Sequence, residues 1–385
     1  MDKIEHTVVI VGAGPTGLAL GAELKRLGIS SLILDRLAAG ANTSRALAIH
    51  ARTMEVLEPL GVTSELINQG LIVQKFCLRD RNRILATISF KNLDTKYPFV
   101  LICPQDLTEA ILLRRLQSLG GGVQRPCEVV AIRPGENSVE VQFRKGEELK
   151  IVHTKWLVGC DGMRSTVRDQ AGISFMGGDY EEKFVLADVE MDWPLNRNEG
   201  NLFFSEQGLL LVAPLPGNGF RIVATVDEAP PKPSIKDFQQ ILEERGPENA
   251  PIKIHRMTWS ARFHIHHRVA KVMRQGRILL TGDAAHVHSP AGGQGMNTGI
   301  QDAITLASAL NEMIQSGNDE VLNSWQQKRL KISHSVVKMT DRMTKIATAS
   351  SFGIRFLRNT ILTIIGRIPL VEHALAKKLS ELDNR

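Results

Sequence analysis

The chain has 385 residues, a mass of 42.5 kDa and a formal net charge of +6. This length predicts two to three domains with a sizeable core. With 43% hydrophobic and 23% charged residues, the composition is that of a globular protein, which excludes a disordered chain and a collagen-like repeat. The four cysteines are scattered without a CxxC pair, so no disulfide scaffold, zinc site or other metal site is predicted.

The charge distribution and the N-terminus bear on partners and location. Residues 328–378 carry a net charge of +9, which leaves −3 for the rest of the chain, and aromatic residues make up only 5%. We therefore expect no nucleic-acid partner. Asp2 and Glu5 precede the first apolar run, which is the wrong charge order for a secretory signal. No stretch of about 18 apolar residues occurs, so we expect no transmembrane helix. The scattered cysteines favour a reduced, cytoplasmic protein.

The first 35 residues follow the order of a dinucleotide-binding unit. Thr7–Val11 is a β-branched run typical of a buried strand, and it leads into the glycine-rich segment Gly12–Gly17. A helical pattern over Leu18–Leu27 and a second apolar run, Ser31–Leu34, come next, and Asp35 follows directly. Strand, glycine turn, helix, strand and acid are the elements that this motif requires around its glycines.

Each residue type in this motif has a physical reason. Gly12 permits the tight turn, Gly14 lets a pyrophosphate approach the backbone, and Gly17 allows close packing of helix and strand. Pro15 suits the first helical turn, where a missing N–H costs nothing. The Asp35 carboxylate is expected to accept hydrogen bonds from ribose hydroxyls.

The middle of the chain changes from mixed elements to long alternating strands. Polarity patterns predict a helix over Ala51–Leu60, two strands within Ile72–Phe90, a helix from Pro104 to Gly120, and strands at Cys127–Ile132, Ser138–Phe143, Leu149–His153 and Trp156–Cys160. Alternating strands dominate Lys183–Asp227, and Ser234 with Asp237 predicts a capping box before a short helix. A further strand is predicted over Ile252–Arg262.

A second glycine-rich stretch extends from Gly276 to Gly299. A buried strand presents Asp283 near its carboxyl end, and the loop that follows starts a helix reaching about Ile314. This arrangement places free backbone N–H groups and the positive end of the helix dipole close together. The acid and the following helix favour a binding site over a merely flexible loop.

Three of these segments resemble the fingerprints of the class A flavoprotein monooxygenases, whose type member is para-hydroxybenzoate hydroxylase. They are the Gly12–Gly17 segment, Cys160–Arg168 and Gly282–His286. The loop His288–Ala303 is most similar to phenol hydroxylases and to hydroxylases that tailor aromatic polyketides. The resemblance covers essentially the whole chain.

The resemblance implies an α/β fold with a Rossmann-like FAD-binding domain, an inserted β-rich substrate domain and a C-terminal helical segment. The expected FAD-binding domain comprises residues 1–75, 100–175 and 271–330. The substrate domain comprises 76–99 and 176–270, and the helical segment 331–385, with no thioredoxin-like domain. A monomer or homodimer is expected.

The family's cofactor contacts transfer to matching positions. Asp283 would hold a ribityl hydroxyl, Pro290 would lie by the flavin ring, and Val129 would contact adenine through its backbone. The full expected FAD set is Gly12, Gly14, Pro15, Thr16, Gly17, Asp35, Arg36, Arg45, Gln105, Val129, Asp161, Arg164, Asp283, Pro290, Gly293, Gly295, Met296 and Asn297.

The implied reaction is hydroxylation of a phenolic or polycyclic aromatic substrate, with NADPH or NADH as electron donor and O2 as co-substrate. Backbone N–H groups of Gly295, Met296 and Asn297 would stabilise the reduced flavin anion. A flavin hydroperoxide would then transfer oxygen in a site that excludes water.

Several alternatives remain open at this point. A flavin-dependent reductase or dehydrogenase, or a non-catalytic flavin-binding protein, is compatible with the same motifs. A halogenase is disfavoured because the four tryptophans are too far apart for a WxWxIP motif. No catalytic base is assigned. His264, His266 and His267 are interpreted as surface or packing residues of a connector.

The basic C-terminal segment contains a helical stripe of aliphatic residues between Ile354 and Ile368. We interpret the stripe as packing on the FAD domain, with the arginines in water. The alternative is a basic amphipathic helix on an anionic membrane surface, which we consider the weaker interpretation.

Overall fold

The computed structural model describes residues 5–40, 46–348 and 351–385. The strands are β1 (His6–Val11), β2 (Ser31–Leu34), β3 (Ala48–Ile49), β4 (Leu71–Val73), β5 (Lys75–Asp80), β6 (Arg83–Ser89), β7 (Val100–Ile102), β8 (Val123–Gln124), β9 (Glu128–Pro134), β10 (Val139–Lys145), β11 (Glu148–Gly159), β12 (Phe175–Asp192), β13 (Glu199–Ser205), β14 (Gly208–Pro214), β15 (Gly219–Val226), β16 (Lys253–Ala270), β17 (Arg274–Gln275), β18 (Ile278–Leu280) and β19 (His286–Val287). The helices are α1 (Pro15–Arg26), α2 (Ala51–Leu57), α3 (Thr63–Gln69), α4 (Gln105–Ser118), α5 (Thr166–Gln170), α6 (Ile235–Arg245), α7 (Gly295–Ser316), α8 (Glu320–Thr348), α9 (Phe352–Ile365) and α10 (Pro369–Leu379).

A mostly parallel sheet organises the first half of the fold. Its parallel strands lie in the order β18-β11-β1-β2-β8, with β17 antiparallel at one edge and the hairpin strands β9 and β10 attached to β11. The predicted strands at residues 149–153 and 156–160 are one continuous strand, β11. Because parallel strands end at one sheet edge, the segments after β1, β2, β11 and β18 meet there.

Within the part of the chain that the structure describes, a second sheet of eight strands has the order β19-β16-β12-β15-β14-β13-β5-β6, and only β5 and β13 pair in parallel. The predicted hairpin of β5 and β6 and the alternating strands β12 to β15 are confirmed. One face of the sheet forms its own core with α6. This helix begins with the predicted capping box between Ser234 and Asp237. The mixed α/β architecture of the expected fold class is therefore confirmed.

Some elements differ from the sequence prediction. A three-stranded sheet of β3, β7 and β4, and the helix α3, were not predicted. Strands of two or three residues are too short to show a period. The predicted helix over residues 51–60 ends as an α-helix at Leu57 and continues as a 3-10 turn through Leu60. The histidines assigned to a connector lie in β16.

The prediction that the C-terminal aliphatic stripe packs on the FAD domain is wrong. On α9, Ile354 is 56% exposed and Ile364 is 58% exposed, whereas Arg358 is only 6% exposed. The Arg358 guanidinium stacks on the Phe204 ring at 4.7 Å. Periodicity identifies two faces of a helix, but it does not determine which of them meets the protein. None of the helices in the described ranges is long and apolar enough to cross a membrane.

A buried carboxylate joins α7 to the parallel sheet and to α8. Asp302 is fully buried, and its Oδ2 accepts hydrogen bonds from His286 Nε2 at 2.6 Å and from the Gly282 amide at 3.2 Å. Its Oδ1 accepts a bond from Arg329 Nε at 2.5 Å. Burial acts to raise the pKa of Asp302, but Arg329 and His286 outweigh it and hold the pKa below its usual value.

The C-terminal residues close against the first turns of α7. Glu381 is 2% exposed and accepts hydrogen bonds from Thr298 Oγ1, at 3.1 Å, and from the side-chain amide of Gln301. The Leu379 carbonyl accepts a bond from Gln294 Nε2 at 3.0 Å. Burial raises the pKa of Glu381 to about 8, so its carboxyl group is mostly protonated at neutral pH.

Replacing Asp302 should destabilise the fold strongly. Asp302→Ala leaves the buried Arg329 guanidinium without its carboxylate, and we expect the free energy of unfolding to fall by about 3–5 kcal/mol. Urea denaturation measures this change. Glu58→Ala removes the exposed partner of Lys96 and serves as the control, with stability close to wild type. Equal stability of the two variants would contradict the role of Asp302.

Glu381 should make stability depend on pH. Its pKa of about 8 in the folded state lies above the ordinary glutamate pKa of 4.5, so the folded protein binds the proton more tightly. This contribution is complete below the unfolded pKa and is lost as the pH rises through the folded one. We expect stability to fall between about pH 5 and about pH 9, and Glu381→Gln to flatten the profile. Identical urea-denaturation profiles for both proteins would argue against a buried protonated carboxyl.

Candidate functional site

The first glycine loop packs tightly against the neighbouring strand. Gly12 has φ +100°, and an added Cβ would lie 2.4 Å from the carbonyl oxygen of Cys160. A Cβ on Gly17 would lie 2.0 Å from the Gly12 carbonyl oxygen, so both positions exclude a side chain. A Cβ on Gly14 would meet nothing within 4 Å. The loop therefore leaves open space at Gly14, where a phosphate group could approach the backbone.

Asp35 at the end of β2 holds this loop in place. Its Oδ2 accepts a hydrogen bond from the Ala13 amide at 2.7 Å, and its Oδ1 accepts one from the Leu37 amide at 2.8 Å. The Arg125 guanidinium donates to the Ala13 carbonyl at 3.3 Å, and its Nε lies 3.8 Å from Asp35. A carboxylate has lone pairs for further donors such as ribose hydroxyls. The sequence interpretation missed Arg125, which belongs to no motif.

Thr16 connects three elements at the same edge. A Cβ added to Gly282 or to Gly299 would lie 2.7 or 2.6 Å from the Thr16 hydroxyl oxygen, so the start of α1 and the first turns of α7 are in close contact. Gly282 has φ +59° and opens a 3-10 turn that includes Asp283. Asp283 is exposed. Asp283, which is predicted to hold a ribityl hydroxyl, thus lies beside the glycine loop and the α7 N-terminus.

The segment after β11 bonds mainly to the protein itself. Asp161 accepts hydrogen bonds from the Ser165 hydroxyl at 2.6 Å and from the Val167 amide at 3.2 Å, and burial raises the pKa of its carboxyl. Arg168 donates to the Ala284 carbonyl at 3.2 Å. This segment therefore braces the turn that carries Asp283. Arg164 is exposed.

The left-handed residues of the loop before α7 lie two and three positions ahead of the helix. Gly292 and Gly293 have φ +78° and +67°. Gly295 is the first residue of α7, and a Cβ there would meet no atom nearer than 3.8 Å. Gly295 therefore has no backbone angle that requires glycine, and that requirement falls on Gly292 and Gly293.

Side chains fix the first turn of α7. Asn297 Nδ2 donates to the carbonyls of Ala48 and Gly293, each at 2.8 Å, and its Oδ1 accepts from the His50 amide at 2.8 Å. His50 Nε2 donates to the Gly292 carbonyl at 2.7 Å. Burial lowers the pKa of His50 to about 4, so the ring is neutral.

The first helical hydrogen bond is donated by the Thr298 amide to the Gln294 carbonyl at 2.9 Å. Within residues 5–40, 46–348 and 351–385, the amides of Gly295, Met296 and Asn297 have no hydrogen-bond acceptor. Three fixed donors at a helix N-terminus can stabilise a negative charge without moving.

Other predicted contacts surround the same edge. Gln105 Oε1 accepts from the Ala46 amide at 3.3 Å. Val129 is buried in β9, two residues beyond Cys127, whose amide donates to the Asp35 carbonyl at 2.7 Å. Arg36 and Pro290 are exposed. Arg45 lies outside the described residues.

A row of apolar side chains crosses the second sheet on the face opposite its own core. Leu202, Leu211 and Val223 are register neighbours and half-buried. Arg221 shares this face and is 1% exposed. It is fixed by Asp188 Oδ1 and Oδ2 at 2.7 and 2.8 Å.

Arg221 also joins this face to the residues just before β3. Its Nη1 donates to the Ala46 carbonyl at 3.3 Å, next to the segment that Gln105 holds. Trp259 Nε1 donates to Asp188 Oδ2 at 2.8 Å and completes the cluster. The sequence interpretation missed all three residues, because their chemistry arises from pairing across β12, β15 and β16.

Two members of the predicted histidine cluster contact residues of β12. His266 Nδ1 bonds Asp179 at 2.6 Å, and the His267 ring lies 4.8 Å from Tyr180. These contacts are those of surface and packing residues.

The chain is similar to several known proteins. The chain is 36% identical over 366 residues to 6-methylpretetramide 4-monooxygenase of Streptomyces rimosus, covering 91% of this chain and 65% of that protein. It is 30% identical to pentachlorophenol 4-monooxygenase of Sphingobium chlorophenolicum, covering 92% and 67%. The solved structure of OxyS anhydrotetracycline hydroxylase from Streptomyces rimosus superimposes with a TM-score of 0.83 at 32% identity, covering 98% and 76%.

The chain thus spans about two thirds of the length of the two curated relatives. Residues 5–340 match the FAD binding domain family. This match includes the first glycine loop, the Asp161 segment, the Asp283 turn and the start of α7. The chain therefore belongs to the FAD binding domain family.

Proposed function

We propose that the protein is an FAD-dependent monooxygenase that consumes NADPH or NADH and O2 to hydroxylate a phenolic or polycyclic aromatic compound. The observation that carries this proposal is the open donor set at the start of α7. The amides of Gly295, Met296 and Asn297 lie at the sheet edge that also presents Gly14 and Asp283.

The described residues fit FAD along its length. Gly12, Gly14, Pro15, Thr16 and Gly17 would hold the pyrophosphate at the N-terminus of α1. The adenosine end would lie by Asp35, Arg36 and Val129, and the ribityl chain by Asp283 and Gln105. Pro290, Gly293 and the α7 amides would surround the flavin ring, while Asp161 and Arg164 would support the nucleotides from the β11 side.

Bound FAD supplies the redox chemistry, since its reduced ring carries negative charge and reacts with dioxygen. The protein supplies position and electrostatics. The α7 amides would donate to the pyrimidine edge of the ring, and Asn297, His50 and Asp302 keep these amides in fixed positions. Preorganised donors of this kind lower the energy of an anion without reorganisation.

The substrate would lie between the flavin and the second sheet. The half-buried side chains of Leu202, Leu211 and Val223 offer an apolar surface to an aromatic ring system. The names of two relatives include 6-methylpretetramide and pentachlorophenol, and the proposal covers both phenolic and polycyclic compounds. An apolar wall also limits the access of water to the reacting atoms.

Isotope transfer tests the proposed reaction. The FAD-loaded protein should consume NADPH faster with a phenol or polycyclic aromatic present, and oxygen from labelled dioxygen should appear in the product. Mass spectrometry of the product provides the readout. Turnover without label would indicate a reductase or dehydrogenase, and FAD binding without any turnover would indicate a flavin-binding protein.

Asp283 should be needed for cofactor retention. Asp283→Ala removes the acceptor for a ribityl hydroxyl, and we expect most of the FAD to be lost, measured as the ratio of flavin to protein absorbance. As a control, Glu312→Ala replaces an exposed acid near the C-terminal end of α7 and should retain FAD fully. Full flavin content in Asp283→Ala would contradict the assigned position of the ribityl chain.

Two glycine substitutions distinguish an effect on the stability of the fold from an effect on the bound flavin. Gly293→Ala places a Cβ at φ +67° and 3.1 Å from the Ala48 Cβ, so the apoprotein should lose about 1–2 kcal/mol of stability. Gly295→Ala enters open space, and the apoprotein should be unaffected. If the α7 amides face the flavin, however, Gly295→Ala should lower the reduction potential of bound FAD, measured by dye equilibration. An unchanged potential would argue against the proposed contact.

A further inference from the structure

Helix α9 turns an uncharged apolar surface toward solvent. We define the outer face of α9 as Ile354, Phe356, Leu357, Ile361 and Ile364, whose exposed fractions range from 42% to 70%. Contiguous exposed apolar side chains of this size mark an interaction site rather than ordinary surface.

The orientation of α9 is fixed by polar contacts on its other side. Arg358 donates to the carbonyls of Ile346 and Ala347, both at 3.3 Å, and stacks on Phe204. Arg355 pairs with Glu206 at 3.2 Å, and Asn359 Nδ2 donates to Asp80 at 2.9 Å. A rotation of α9 that brought its apolar side chains against the protein would break these contacts and expose the buried Arg358 guanidinium group. The outer face of α9 therefore remains exposed to solvent.

Apolar residues also flank the outer face at both ends. Ile346, near the end of α8, is 52% exposed. Ile368 and Leu370, at the start of α10, are 44% and 82% exposed. The apolar surface thus continues from the last turns of α8 through α9 into α10.

The charged residues within this segment of the chain have one sign. Residues 342–371 contain five lysines and arginines and no aspartate or glutamate. Of the five, Arg355 and Arg358 bond inward and Lys345 pairs with Asp341 at 3.0 Å. Arg342 and Arg367 are exposed. An apolar face with cations at its ends complements a surface that combines hydrocarbon with negative charge.

We propose that the outer face of α9 binds the surface of an anionic lipid bilayer. The helix has 14 residues and is roughly 21 Å long, and it would lie in the plane of the interface with its apolar side chains among the acyl chains. A second copy of the chain fits less well, because a two-fold contact would bring the same cations toward one another. The proposal is independent of the reaction proposed above.

Vesicle sedimentation of the FAD-loaded protein tests this inference. We expect the protein to sediment with phosphatidylcholine vesicles that contain phosphatidylglycerol, and far less with phosphatidylcholine alone. High salt should weaken binding because it screens the cations. The triple variant Phe356→Ser, Ile361→Ser and Ile364→Ser should bind the anionic vesicles about tenfold more weakly or worse.

A matched control uses apolar residues that are equally exposed elsewhere. Leu149→Ser and Ile151→Ser change residues of β11 that are 57% and 50% exposed, and this variant should bind like wild type. Circular dichroism and FAD content verify that the variants fold. Failure of the wild-type protein to bind anionic vesicles, or equal binding by the α9 variant, would overturn the proposal. A dimer that dissociates in the α9 variant, without vesicle binding, would identify a second copy as the occupant instead.

Discussion

Asp302 accepts hydrogen bonds from three donors in two other segments of the chain, and the site is built around this junction. His286 and the Gly282 amide belong to the segment after β18, and Arg329 belongs to α8. A buried carboxylate is stable only when such donors compensate for its lost hydration. The first turns of α7 are therefore fixed relative to the parallel sheet, and the free amides at the helix start occupy defined positions.

Close backbone packing complements this polar junction. The absence of a side chain at Gly282 and Gly299 lets the α1 and α7 N-termini approach each other around Thr16. Two helix N-termini thus face one sheet edge, and both favour negatively charged groups there. The arrangement suits a cofactor with a central pyrophosphate and, at one end, a ring that becomes anionic.

The second sheet uses its two faces differently. One face forms a core with α6, and the other presents half-buried aliphatic side chains together with the buried Arg221 and Asp188 pair. Polar burial also determines the orientation of α9, where Arg358 faces the protein and aliphatic side chains face outward. In both places an arginine occupies a buried position of the kind that an apolar residue usually fills. Its charge is accommodated there because its bonding partners are buried beside it.

The sequence by itself determined the parallel unit, the positions of its glycines and the acids that follow its strands. These features depend on local geometry, since a turn such as that at Gly12 has a backbone angle that only glycine adopts easily. The tertiary structure alone decided which donors surround Asp302, why Glu381 is buried and which face of α9 meets solvent. Those outcomes depend on neighbours far apart in the chain, and a periodic pattern carries no information about which neighbour a face will meet.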